Sequence, residues 1–135
     1  MLKSMSLALA LAIAGPAAAR PITPDDIARV LSVSDPQADA TGQWVAYTVA
    51  GTDVAADKGY SHIWMTSWDG ARTVQLTGRA KESENTPRFS PDGHWLAFIS
   101  ARGGEKQDDQ LWLMDRAGGE GRPLSGIVGS VVGYA

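Results

Sequence analysis

Cysteine is absent from the 135 residues, so no disulfide, thiolate metal site or lipid-modified N-terminal cysteine is available. An exported chain of this kind must hold its fold by packing alone. Histidine occurs only at His62 and His94, too far apart and without a second ligand at metal-binding spacing. Positive charge is not in excess: 12 Lys and Arg stand against 15 Asp and Glu, a formal charge of −3. Scattered basic residues on a mildly acidic chain give no electrostatic footprint for nucleic acid or an anionic membrane surface. An apolar run of membrane-spanning length is missing too. The run over residues 7–14 falls well short of the roughly 20 residues that a spanning helix needs.

What the first residues do contain is a targeting layout. Lys3 supplies a positive start, residues 7–14 read LALALAIA, Gly15-Pro16 breaks the run, and Ala17-Ala18-Ala19 offers the small side chains that a signal peptidase needs. This predicts a secretory signal over 1–19, cut between Ala19 and Arg20, and a periplasmic or secreted chain with no membrane contact after cleavage.

Self-similarity organises the rest. Residues 36–47 (PQADATGQWVAY) and 87–98 (PRFSPDGHWLAF) share Pro, Gly, Trp, Ala and a terminal aromatic at an offset of 51. Ile63-Trp64-Met65 matches Leu111-Trp112-Leu113, and Leu76-Thr77-Gly78 matches Leu124-Ser125-Gly126, both at an offset of 48. The difference falls in the loops after Tyr47 and Phe98, where length changes are tolerated. Ser90-Pro91-Asp92-Gly93 is a turn with a mechanism: Pro presets φ, Asp bonds back to the backbone and Gly supplies positive φ. The following Trp95-Leu96-Ala97-Phe98-Ile99 is apolar on both strand faces, as in a strand covered on both sides.

After a polar loop over 102–109 come a strand over 111–114, a Gly-rich turn and a short outer strand over 122–124. About four short strands in some 48 residues is the period of a propeller blade. A generic antiparallel sandwich would show polar alternation on its outer faces and no fixed period.

The fold expected is therefore all-β. Two β-propeller blades, over about 34–80 and 81–127, are followed by a third that begins near 128, in a partial propeller over 34–135. A helical lead-in over 20–33 precedes them. Thr23 is placed to cap it, Pro24 suits its first position, Asp26 is the capping acid, and Ile27, Val30 and Leu31 share the face that packs on the propeller. Rings close with about four to eight blades, so two blades leave open faces that further blades or partners must cover.

No residue is expected to be catalytic, cofactor-binding or metal-binding, and no cofactor is expected. Gly59-Tyr60-Ser61-His62-Ile63 approaches a nucleophile elbow but lacks its final Gly and its strand-to-helix turn. Neighbouring Ser61 and His62 on an extended backbone face opposite sides and do not pair. His94 reads as a solvated strand-edge residue. Asp108-Asp109, and Asp53 with Asp57, lack the alternating acids of a calcium loop and read as solvated turns. Glu82 and Glu84 could grip a peptide amino terminus, but a solvated link between blades is the preferred reading. Trp44, Trp64, Trp95 and Trp112 recur in register and read as blade core. Trp68 falls where the second copy has Arg116 or its neighbour, and the sequence assigns it no role.

Residues 22–27 (ITPDDI), 33–37 (VSDPQ) and 42–48 (GQWVAYT) resemble the N-terminus of bacterial prolyl oligopeptidase family serine peptidases, chiefly the acylaminoacyl-peptidase and dipeptidyl-peptidase branches. Ile63-Trp64 with Asp69-Gly70, Leu76-Thr77 and Phe89-Ser90-Pro91-Asp92-Gly93 are similar to that family's WD-like repeats. One departure is Asp39-Ala40-Thr41-Gly42, where the family usually shows Ser-Pro-Asp-Gly; the retained Gly predicts that the hairpin survives. The resemblance implies an exported serine exopeptidase whose propeller gates short peptide substrates toward an α/β-hydrolase domain absent from these residues. A periplasmic protein-binding propeller of the Tol-system type is the alternative, though that type places a separate α/β domain before its blades. A carbohydrate lyase finds no supporting charge cluster.

Overall fold

The computed structural model describes residues 19–78, 82–102, 108–124 and 129–134. Residues 1–18 of the signal expected over 1–19, the link at 79–81, residues 103–107 of the loop after Arg102, residues 125–128 at the expected junction of second and third repeats, and residue 135 lie outside them. Among the described residues, eight strands follow one short helix, α1 (Pro24–Ile27). The strands β1 (Ser32–Ala38), β2 (Trp44–Asp53), β3 (Lys58–Ser67) and β4 (Thr73–Gln75) form one antiparallel sheet in chain order. A second sheet repeats the pattern with β5 (Glu84–Phe89), β6 (Trp95–Ser100), β7 (Gln110–Asp115) and β8 (Arg122–Pro123). These are two four-stranded propeller blades in an unclosed ring, the all-β architecture that the repeat predicts.

The two β-turns show how different sequences reach one geometry. In the second blade Gly93 takes φ +72° and its N–H donates to Ser90 O at 2.9 Å. The Ser90 hydroxyl accepts from Trp95 N–H, while Asp92 accepts from His94 N–H. In the first blade Gly42 takes φ +68°, and Asp39 does the work of both residues. One Asp39 carboxylate oxygen accepts from Gln43 N–H at 2.9 Å and from Trp44 N–H at 3.2 Å. Proline is therefore dispensable at this turn, because the carboxylate fixes the same loop.

A second repeated feature has no sequence signature as plain as the turn. The register of β1 against β2 shifts between Ser34 and Gln37, and that of β5 against β6 shifts between Asn85 and Arg88. At these bulges Asp35 takes φ +52° and Thr86 takes φ +56°, each followed by proline. Positive φ at a β-branched threonine is a real outlier. Its recurrence one repeat apart marks it as part of the blade design.

Ala46 and Ile63 from the first blade and Leu96, Phe98 and Met114 from the second form the buried core, with Leu76, Phe89 and Trp112 packed against it. Among the described residues only the backbone of β5 lies close to the first sheet, against β1, β2 and β3. The blades therefore converge at β1 and β5 and splay toward β4 and β8, which puts the propeller axis on the β1 and β5 side.

Two expectations are corrected. Helix α1 is one turn long and contains no buried residue; Ile27 and Val30 are 66% and 68% exposed. It is held by its own polar contacts: Thr23 N–H and Oγ1 both donate to Asp26, which also takes two bonds from Arg20 at 2.6 Å. Of its expected apolar face only Leu31 reaches the sheet, beside Gly51, where a Cβ would fall 2.7 Å from its Cδ2. The second correction is Trp95, which begins β6 and is 37% exposed with Arg122 over its ring, while Trp44, Trp64 and Trp112 are half-buried.

Candidate functional site

The strongest concentration of chemistry lies where the two blades meet. Glu84 opens β5 and is fully buried. Its Oε2 is 2.9 Å from His62 Nδ1 on β3, and its Oε1 accepts from Arg102 Nε and Nη2 at 3.2 and 3.1 Å. Arg102 is itself buried, lies over the rings of Phe98 and Trp112, and pairs with Glu82 and Glu120 at 3.3 and 3.2 Å. A carboxylate costs several kcal/mol to bury unless it is paired and hydrogen-bonded, and here both conditions are met. This overturns the reading of Glu84 as part of a solvated link. Nor is it free to hold a peptide amine, because both of its oxygens are committed.

His62 also stacks on Tyr60, with centroids 5.5 Å apart. Its neighbour Ser61 receives nothing from the ring; Ser61 N–H donates to Ser83 Oγ across the blade boundary. The cluster can hold charge and join blades, but it presents no nucleophile to a base. His94 is exposed at the turn. Asp53 accepts from Ala55 and Ala56 N–H, Asp57 takes φ +49°, and Asp108 and Asp109 are exposed.

A second set of contacts runs along the axis side. Arg88 Nη1 lies 3.0 Å from both oxygens of Asp35, joining the bulge of the first blade to the inner strand of the second. Tyr134 repeats the gesture, its hydroxyl donating to Thr86 O at 2.5 Å. Burial pushes the Tyr134 hydroxyl pKa up, with Arg88 opposing. At the end of the seam where the β1–β2 turn lies, Arg116 Nη1 reaches Asp39 at 3.0 Å and lies over Trp44 and Phe89. Burial pulls the Asp39 pKa up, but bonds from Thr41 and the Trp44 and Gln43 amides, with the charge of Arg116, outweigh it and hold the carboxyl below its usual range. An open groove of about 570 Å³ there is lined by Trp44, Met65, Arg72, Leu76, Met114 and Arg116.

Sequence reasoning missed Arg102, Arg88 and Asp35 as a set. The available signal was the matched proline at 36 and 87, which marks the bulge whose neighbours carry the seam.

No protein-family model matches the chain. The protein named uncharacterized peptidase YuxL of Bacillus subtilis is 41% identical over 106 residues, covering 78% of this chain and 16% of that protein. The protein named probable dipeptidyl-peptidase 5 of Emericella nidulans is 30% identical over 102 residues, covering 68% of this chain and 14% of that one. Among solved structures, the β-propeller domain of the Trilobed protease from Pyrococcus furiosus superposes with a TM-score of 0.50 at 26% identity, over 70% of this chain and 27% of that one. The chain thus spans about a sixth of the length of the curated relatives it matches. With two four-stranded blades and relatives named as peptidases, the chain belongs to the prolyl oligopeptidase family of serine peptidases, in its acylaminoacyl-peptidase and dipeptidyl-peptidase-like branch, and carries propeller blades of that family.

Proposed function

We propose that this chain is a non-catalytic propeller segment of an exported serine exopeptidase, and that its blades restrict access of short peptides to an α/β-hydrolase domain outside these residues. The observation that carries the reading is the 41% identity to a protein named a peptidase, extending over 78% of the chain. The geometry supports it physically. Inner strands that converge on an axis form the wall of a channel. At that wall Asp35 and Arg88 neutralise each other and tie adjacent blades, which suits a rigid size filter.

The layout that goes with this reading is a signal over 1–19, a helical lead-in over 20–33, blades over about 34–80 and 81–127, and a third from about 128. The chain itself contributes no catalytic, cofactor or metal-binding residue. No helix among the described residues is long and apolar enough to cross a membrane.

The test uses the intact protein and a series of peptides with one common N-terminal sequence and increasing length. The expected result is a kcat/KM that falls with length, and that falls less steeply in Asp35→Ala, where the seam at the axis is cut. Equal turnover of short and long peptides by the unmodified protein would remove the filter. Export is read separately: the mature N-terminus should be Arg20 in the periplasm or medium, and a retained Met1 on cytoplasmic protein would refute it.

A further inference from the structure

The contacts between blades occupy repeated positions, and this gives Trp68 a role. Trp68 N–H donates to Gln43 O at 2.8 Å, and Arg116 N–H donates to His94 O at 3.0 Å, so residues 68 and 116 hold one place in the two blades. Gln37 and Arg88 share another, opposite Ala46 and Ala97 in the registers of β1 with β2 and β5 with β6. In the second blade both places reach back across the seam, Arg116 to Asp39 and Trp44, Arg88 to Asp35.

In the first blade the same two places face no described blade. Trp68 is 75% exposed, and the Gln37 side chain makes no hydrogen bond among the described residues. A lone exposed indole is an unpaid debt in a folded chain, because Trp has a large area to bury. The exchange is also consistent in volume. Arg116 lies over Phe89, whose counterpart in the first blade is Ala38, so the large aromatic moves from the strand to the turn. It is consistent in charge as well, since two guanidinium groups that meet acids become an indole and a carboxamide.

We propose that Trp68 and Gln37 are the docking edge for a further blade of this same propeller, the one that closes the ring against the first blade. That blade presents an apolar platform to Trp68 and a neutral hydrogen-bond acceptor to Gln37, where the first blade presents Asp39 and Asp35 to the second. The argument is continuity with the seam already formed between the two blades, and it stands whether or not the peptidase gates by size.

The test is oxidative footprinting of Trp68 in the intact protein, with the denatured protein as reference, beside thermal melts of Trp68→Ala and Trp68→Arg. Trp68 should oxidise many-fold more slowly in the native monomer than when denatured, and both variants should lower Tm by similar amounts. Oxidation at the denatured rate would mean that nothing covers the indole and would overturn the proposal. Protection that disappears on dilution as a dimer dissociates would assign the edge to a second copy, and overturns it too. A Trp68→Arg protein as stable as the original would place an acid opposite residue 68 and refute the neutral platform.

Discussion

Replacing Arg102 with leucine keeps apolar bulk against Phe98 and Trp112 and leaves the buried Glu84 carboxylate with His62 as its remaining side-chain partner. The cost follows from what is removed. Glu84 loses two N–H donors at 3.2 and 3.1 Å, and hydrogen bonds to charged groups contribute about 1.5–3 kcal/mol each. Glu120 adds little, since its side chain is 63% exposed and surface pairs contribute about 0–1 kcal/mol. Stranding one member of a buried pair costs about 3–5 kcal/mol in total, and that is the expected destabilisation. The assay is urea unfolding of the intact protein followed by tryptophan fluorescence, completed as a cycle with Glu84→Gln and the double variant. Removing the stranded charge should return part of the loss, so the double variant should be more stable than Arg102→Leu alone by about 1–3 kcal/mol. A cost for Arg102→Leu below about 1 kcal/mol, or strict additivity in the cycle, would refute the account of Glu84 as a charge held by its partners.

Three further outcomes follow from the geometry. Because the Asp39 carboxyl is held below its usual range, its stabilising contribution is complete above about pH 4 and lost as pH falls through the lower folded value. Asp39→Asn should therefore lower the urea midpoint at neutral pH and flatten its decline below about pH 4. Gly93→Ala forces a Cβ into φ +72° and should cost about 1–2 kcal/mol in the same unfolding assay; no loss would mean that the turn relaxes to another type. Thr86→Gly removes a β-branched residue from φ +56°, and should raise stability by up to about 1 kcal/mol after the entropy of glycine is charged against it. A lower Tm for Thr86→Gly would show that the threonine side chain, not its backbone, is what the bulge requires.

The blade order was legible because turn chemistry and period are local. Ser90, Asp92 and Gly93 specify their loop within a few residues, and the strands that follow repeat at a spacing that only a few architectures share. Glu84 was misread for the opposite reason. Its polar neighbourhood in sequence resembles a solvated link, while its partners His62 and Arg102 lie 22 and 18 residues away and meet it only when two blades pack. The bulges escaped because positive φ at Thr86 runs against the preference of the residue itself, and only the following proline hinted at them. Helix α1 was over-read from a sound capping pattern. The acid at Asp26 fixes a turn locally, but nothing in a cap determines whether the apolar side beyond it finds a surface. Trp68 carried its meaning in register with Arg116, and that meaning appears only when the two contact sets are superposed.

The backward reach of Arg88, Arg116 and Tyr134 has a consequence in time. The bulge groups Asp35 and Thr86 O are met by Arg88 and Tyr134, about one repeat later in the chain, and Asp39, already bonded within its own turn, gains its ion pair only when Arg116 is made. At ribosomal rates of roughly 5–20 residues per second, about 50 residues take roughly 3–10 s to appear. Through that interval a newly made blade exists as a sheet whose seam is open and whose polar groups are answered by water. Where folding keeps pace with the emerging chain, each successor finishes the element before it, and a pause within a repeat prolongs the period in which its predecessor is incomplete.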